Sequence, residues 1–375
     1  MNATRDFTPF IPLFLSPKTT DIRISFTPNF PTVIAALTIP RFPTLCPRIR
    51  RLTLRFLPRD PVVVEAVSEM LLACNRDTLQ TFSVNCPLTK EARRFLCTLP
   101  NLRRLRTVVQ GPTSLPPLAL PELDMFWIEW NSGRDWLQAF RGATIGKLKT
   151  AIFCPVSRSS RISGFLEEFE SVALTTSAPN TLSALDLYTS QSWSPNYSSL
   201  LVFKQMTKLK IEFSCHNGCS STVDDDVIIN LAQAMPGLEI LKLGGQPCRA
   251  PSDVTFKGLI ALALRCPQLS HLRVHFQASS LAEATSRTEP PPLSEPTPGT
   301  PQTNCALKVL EVGETPVAEQ ETLAVGITLL QLFPKIVSIE CFNAQWRSVA
   351  ETIKLFKRIS GNIRHASKKH LPPFR

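Results

Sequence analysis

The chain has 375 residues, more than one packed core needs, which leaves two or three globular domains or one long repeat array. With 43% apolar and 19% charged residues it can bury a large core, and general disorder is excluded. Lysine and arginine outnumber acids by 41 to 30, a net charge of +11 that favours acidic partners without specifying nucleic acid.

The opening, MNATRDFTPFIPLFLSPKTTD, breaks its short apolar run at Pro9 and Pro12, and elsewhere charge or proline interrupts aliphatic runs before a bilayer-spanning length. Neither a membrane span nor a signal peptide is expected. Eleven cysteines at irregular spacings form no disulfide framework, which fits a reducing compartment and a cytoplasmic or nuclear protein.

From Thr19 onward one pattern returns: L-x-x-L-x-L, in which the first apolar residue closes a turn and the fourth and sixth alternate inward along a short strand. The stretches begin at Thr19 (TTDIRISF), Ile49 (IRRLTLRF), Leu79 (LQTFSVNC), Leu102 (LRRLRTVV), Leu123 (LDMFWIEW) and Leu148 (LKTAIFCP). They continue at Leu182 (LSALDLYT), Met206 (MTKLKIEF), Leu238 (LEILKLGG), Leu269 (LSHLRVHF), Leu307 (LKVLEVGE) and Ile336 (IVSIECFN). Successive starts lie 21 to 38 residues apart, around the period of leucine-rich repeats and too far for hairpins. Helical periodicity fills the gaps at 60–75, 88–100, 163–176, 223–237, 256–268, 318–334 and 346–361. Asp60-Pro61 reads as an N-cap with proline at the first helical position, and Asp224 to Asp226 place negative charge at a helix start.

Six joints share the form apolar-Pro-x-apolar: Cys46-Pro47, Leu99-Pro100, Leu120-Pro121, Met235-Pro236, Cys266-Pro267 and Phe333-Pro334. Proline ends the helix and its predecessor prefers extended backbone, so each joint turns a helix into the next strand. Two or three unrelated α/β domains would not share this punctuation. The predicted fold is therefore α/β: an irregular leucine-rich-repeat solenoid over 1–375, with about twelve short parallel strands on the concave face and helices on the convex face. The asparagine ladder of regular leucine-rich repeats is missing, which predicts uneven curvature. Residues 278–304 hold six prolines among Ser, Thr and Glu and are expected to be a disordered insertion; Thr297-Pro298 and Thr300-Pro301 suggest phosphorylation, against the plainer reading of a tolerated surface loop. Residues 364–375 read as a basic C-terminal tail, part of a segment from Gln345 with eight Lys or Arg against Glu351 alone.

These repeats, the [Cys/Leu]-Pro-x-Leu-x-x-Leu joints and the opening phrase FTPFIPLFLSPKTTDIRISF resemble the F-box and leucine-rich-repeat-like proteins numerous in mushroom-forming fungi. The resemblance implies substrate capture for a cullin ubiquitin ligase, with an F-box that docks the adaptor and repeats that hold the substrate. This chain starts with the segment that follows the F-box in that family, and no Leu-Pro-x-Glu-like helix start precedes Asp21. The expectation is a substrate-recognition part without its F-box, with a cullin adaptor as partner only where an F-box lies upstream; the alternative is a repeat-only scaffold unrelated to ubiquitin.

Positions three, five and seven of each strand should project from the concave sheet. The predicted partner-binding residues are Arg51, Arg55, Arg104, Arg106, Trp127, Tyr188, Lys208, Lys210, Lys242, His271, Arg273 and His275, with Asp186 and Glu311 on the same face. Arginine with aromatic anchors suits a protein interface, so an acidic protein segment is one reading and a solvated charged face the other. Cys215-His216-x-x-Cys219 offers three soft ligands without a fourth, and His271 and His275 lack a nucleophile motif, so no metal, cofactor or catalytic role is expected. The phosphate-cradling and H-E-x-x-H motifs are absent. A nucleic-acid role rests on the basic tail alone and is not the expectation.

Overall fold

The computed structural model describes the chain apart from residues 1, 4–7, 28–29, 110–118, 131–143, 156–164, 175–177, 190–194, 214–222, 246–251, 279–304, 314, 342 and 370–375. Cys215, His216, Cys219, Thr297 and Thr300 lie outside the described residues. Two compact units emerge: Met1–Gln191 with Val202–Met206, and Ser192–Leu201 with Thr207–Arg375.

In the first unit, β1 (Asp21–Phe26), α1 (Thr32–Thr38), α2 (Phe42–Leu45), β2 (Arg51–Arg55), α3 (Pro61–Ala73), β3 (Thr81–Pro87), α4 (Lys90–Leu96) and β4 (Arg104–Val109) lead to β5 (Met125–Trp130). β6 (Thr150–Pro155), α5 (Phe165–Leu174), α6 (Ala178–Thr181) and β7 (Ala184–Thr189) complete it. Every strand pairs in parallel with the next in chain order, as expected when a helix or long turn carries the chain back before each new strand. In the second unit, β8 (Lys208–Phe213), α7 (Asp225–Ala234), β9 (Ile240–Gly245), α8 (Phe256–Arg265) and β10 (His271–Arg273) precede β11 (Val309–Gly313). α9 (Thr322–Leu332), β12 (Ser338–Cys341) and α10 (Ala344–Lys369) follow, and this sheet is parallel too. All twelve L-x-x-L-x-L stretches are thus strands, and the seven periodic segments hold helices α3, α4, α5, α7, α8, α9 and α10. α1 and α2 lie outside the seven periodic segments and were not expected. α10 runs through the first residues of the segment predicted as a tail from 364.

The inward positions are buried as their spacing requires: Ile49, Leu52 and Leu54 in one repeat, Leu238, Leu241 and Leu243 in another. The core of the first unit includes an aromatic run in which Phe153 meets Phe126, Phe165 and Phe169 edge-on and Phe169 stacks on Phe203. In the second unit Phe276 packs edge-on against Phe256 and Trp346, and the Trp346 indole donates to the Thr315 carbonyl at 2.9 Å.

Asp60 caps α3 by accepting from the Val62 N–H at 2.9 Å, and Asp224 caps α7 through Val227 N–H at 2.8 Å. Asp225 does more: it accepts from Thr255 N–H and hydroxyl and from Gly258 N–H, so one carboxylate ties α7 to the start of α8. At the proline joints the geometry repeats. Cys46, Met235, Cys266 and Phe333 sit at φ −134, −127, −114 and −129° with ψ near 70°, each donating back into its helix and accepting from the first residue of the next stretch.

A backbone ladder runs beside these joints. The carbonyl at position two of one repeat accepts from the N–H groups of positions two and three of the next. Thr20, Arg50, Gln80, Arg103, Asp124 and Lys149 do so in the first unit, and Thr207, Glu239, Ser270 and Lys308 in the second. It satisfies the polar groups of the turn with main chain alone, so repeats without an asparagine ladder still stack in register.

Candidate binding face

On the open side of the first sheet, strand register places the outward residues in rows. Asp21, Arg51, Thr81, Arg104 and Met125 form one row; Arg23, Thr53, Ser83, Arg106 and Trp127 form the next. All of these except Asp21, together with Arg55, Arg103 and Asp124, line a groove of about 570 Å³ confined to this unit. β3 contributes hydroxyls and no charge, and the strands on both sides of it contribute arginine.

The arginines differ in how firmly they are held. Arg106 lies 3.7 Å from the centre of the Trp127 ring and pairs with Glu129 at 2.7 Å, so its guanidinium is fixed by a flat apolar surface and a carboxylate. Arg51 and Arg104 reach Asp21 and Asp124 only at 3.7 and 3.8 Å, with side chains 56% and 64% exposed. Such contacts contribute little and release easily. Arg55 and Arg103 form no ion pair among the described residues.

The groove unites five of the residues predicted from sequence: Arg51, Arg55, Arg104, Arg106 and Trp127. Tyr188 is half-buried on β7 and does not line it, and Lys208 and Lys210 are half-buried on β8. Thr53, Thr81, Ser83 and Arg103 also line the groove and were passed over, because a reading by charge ignores hydroxyls and Arg103 stands at an even position beside Arg104.

In the second unit the prediction needs correction. Arg273, His275 and Glu311 are 9%, 7% and 2% exposed, so they are not surface groups awaiting a partner; in the first unit Asp186, at 4%, is not one either. Glu311 accepts from Lys242 at 2.6 Å and from His271 and Arg273, while Arg273 also reaches Glu212 at 2.8 Å. Burial alone would raise the Glu311 carboxyl, but the hydrogen bonds from Lys242, His271 and Arg273 outweigh it and hold the group at about 2. Lys242 and His271 are thereby engaged in an internal cluster, with side chains 13% and 27% exposed. The His275 Nε2–H donates to the Gly245 carbonyl at 3.1 Å, with its ring against Gly244 and Gly313, both at positive φ. The charges at odd positions here bind one another because the outward side chains of adjacent parallel strands stand about 5 Å apart.

Among the described residues no three His, Cys, Asp or Glu side chains are grouped to hold a metal ion. In the same set no helix is long and apolar enough to cross a membrane. What the groove offers chemically is a cluster of forked cationic donors around hydroxyls, suited to anionic groups. No family model matches the chain, and no curated protein sequence matches it.

Proposed function

We propose that the chain is a non-enzymatic, protein-binding repeat module of leucine-rich-repeat type, and that the open strand face of its first unit holds an acidic segment of a partner protein. The observation that carries this reading is the convergence of Arg51, Arg55, Arg104 and Arg106 beside Trp127 in one open groove. Arginine and tryptophan are the side chains that most often dominate protein interfaces. The groove sits on rigid strands, so little ordering is needed on binding.

The resemblance of its repeats and joints extends the proposal: the partner is a substrate, and the chain is the recognition part of an F-box-type ubiquitin-ligase receptor. Affinity purification with mass spectrometry tests both parts. Tagged wild-type chain should retain partners that a charge-reversed R51E/R104E chain loses. Adaptor and cullin should appear only with a form carrying an upstream F-box. Identical partner lists for wild type and R51E/R104E would refute the groove, and absence of adaptor and cullin from the F-box form would refute the ligase part.

A further inference from the structure

The last two helices of the second unit lack the charge pattern of a water-facing surface. α9, TLAVGITLLQL, has no charged residue, whereas α7 and α8 before it have Asp225, Asp226, Lys257 and Arg265. A surface helix ordinarily sets charge opposite its buried stripe. α9 buries Val325, Gly326 and Leu329, leaves Leu323 exposed and keeps Ile327 and Leu330 half-buried. α10 lies close against it: a Cβ on Gly326 would come 3.1 Å from the Thr352 side chain and 3.6 Å from the Val349 carbonyl.

α10 turns one stripe inward, with Trp346, Val349 and Ile353 all buried. Since Val349 and Thr352 mark the side facing α9, the helical period of about 3.6 residues orders the remaining positions around the axis. Leu355 and Ile359, each about half exposed, fall on the α9 side of the outward face, and the exposed Arg358, Arg347 and Lys354 follow on the far side. By the same period Leu323, Ile327 and Leu330 occupy the side of α9 towards α10. Two helices thus share an apolar strip with a row of cations along one margin. Arg347 and Arg358 form no ion pair among the described residues, and Lys354 is paired with Glu351 at 2.7 Å. Glu319 and Glu321 stand before the first turn of α9, and Lys357 is engaged in donating to the Ile336 carbonyl. Beyond Ile359 the helix continues to Lys369 through a stretch that adds Arg364, Lys368 and Lys369 and no acid.

A nucleic acid would use the cations and leave Leu323, Leu355 and Ile359 in water. A protein that encloses an amphipathic helix in a groove needs its apolar stripe, which Trp346, Val349 and Ile353 already bury against the unit. A lipid leaflet needs only an outward surface: aliphatic side chains enter the headgroup boundary while cations meet the anionic headgroups. We infer that the outward face of α9 and α10 docks on an anionic lipid surface, with Leu323, Leu355 and Ile359 turned into it and Arg347, Lys354 and Arg358 on its headgroups. The groove of the first unit plays no part, so either site can fail without the other.

The test is co-sedimentation of the whole chain with vesicles of phosphatidylcholine alone, or of equal parts phosphatidylcholine and phosphatidylserine. Each cation near an anionic leaflet adds about fivefold to the affinity, so wild type should bind the mixed vesicles at least about 100-fold more tightly than the neutral ones. Arg347→Gln with Arg358→Gln should then lose about 25-fold. Leu355→Gln with Ile359→Gln keeps every charge and should weaken binding to the mixed vesicles about tenfold. All four side chains are exposed, so thermal melting should be unchanged in both variants. Arg94→Gln with Lys204→Gln removes the same charge from exposed positions of the first unit and should leave vesicle binding as it was.

Equal binding to the two kinds of vesicle, or binding to neither, would overturn the inference. So would a loss in R94Q/K204Q as large as that in R347Q/R358Q, which would reduce the attraction to bulk charge without a site. An acidic protein captured by wild type and lost by R347Q/R358Q, in the absence of vesicle binding, would overturn it in favour of a protein partner at this face.

Discussion

Replacing Glu311 by glutamine should destabilise the second unit by about 3 kcal/mol at neutral pH, the lower end of the cost of breaking a buried ion pair by removing one partner. The substitution keeps the shape of the side chain and removes its charge, leaving Lys242 unpaired and Arg273 with Glu212 alone. The titration of Glu311 gives a second route to the magnitude. Its folded value of about 2 lies roughly two units below an unfolded glutamate. At 1.36 kcal/mol per unit that is again about 3 kcal/mol. Because the folded value is depressed, this stabilisation is fully present above about pH 4.5 and is lost as pH falls towards 2. The assay is urea unfolding from pH 7 to pH 2.5, combined with hydrogen exchange on peptides covering β9 and β11, so that the second unit is read by itself. The gap between wild type and Glu311→Gln should be widest at neutral pH and close as the acid limit is approached. A loss under about 1 kcal/mol at pH 7, or a gap that does not narrow with acid, would refute the view that Glu311 is a charged hub inside the unit.

Asp225→Ala removes three bonds to Thr255 and Gly258 and should cost about 2 kcal/mol, read as loss of exchange protection in α8. Gly258→Ala should also destabilise, by about 1 kcal/mol, although alanine is the better helix former, because the new Cβ would lie 2.7 Å from Asp225 Oδ1 and 3.3 Å from Val254; a gain in melting temperature would contradict this. Trp127→Ala takes away the surface that fixes Arg106 and should weaken partner binding about tenfold without lowering stability comparably, measured by peptide titration beside thermal melting. Burial pushes the thiols of Cys74, Cys86 and Cys266 up to about 12, so at pH 8 iodoacetamide should leave these three unlabelled in the native chain and label them in urea, as read by peptide mass spectrometry.

The candidate groove was half legible. Arg51, Arg55, Arg104, Arg106 and Trp127 could be placed on one face from strand parity, since a strand's side chains alternate whatever surrounds them. Parity says which way a side chain leaves its own strand and nothing about what the next strand presents. At Arg106 the neighbour is the Trp127 ring, which orients the guanidinium without covering it. At Arg273 the neighbours are Glu311 and Glu212, and the same parity yields a buried ion pair. The hydroxyls of Thr81 and Ser83 acquire meaning only when β2 and β4 set arginines on both sides of them.

The sequence by itself determined the twelve strands, the seven helices between them and the joints that connect them, because each depends on local requirements: apolar residues at a fixed spacing, a capping aspartate, a proline that cannot continue a helix. The main-chain ladder that stacks the repeats left no trace in the residue types, since any residue's carbonyl and N–H can form it. Which charged side chains face solvent and which neutralise one another was decided by the tertiary structure, because that depends on residues tens of positions apart meeting across a strand spacing of about 5 Å, where opposite charges pair and are withdrawn from water.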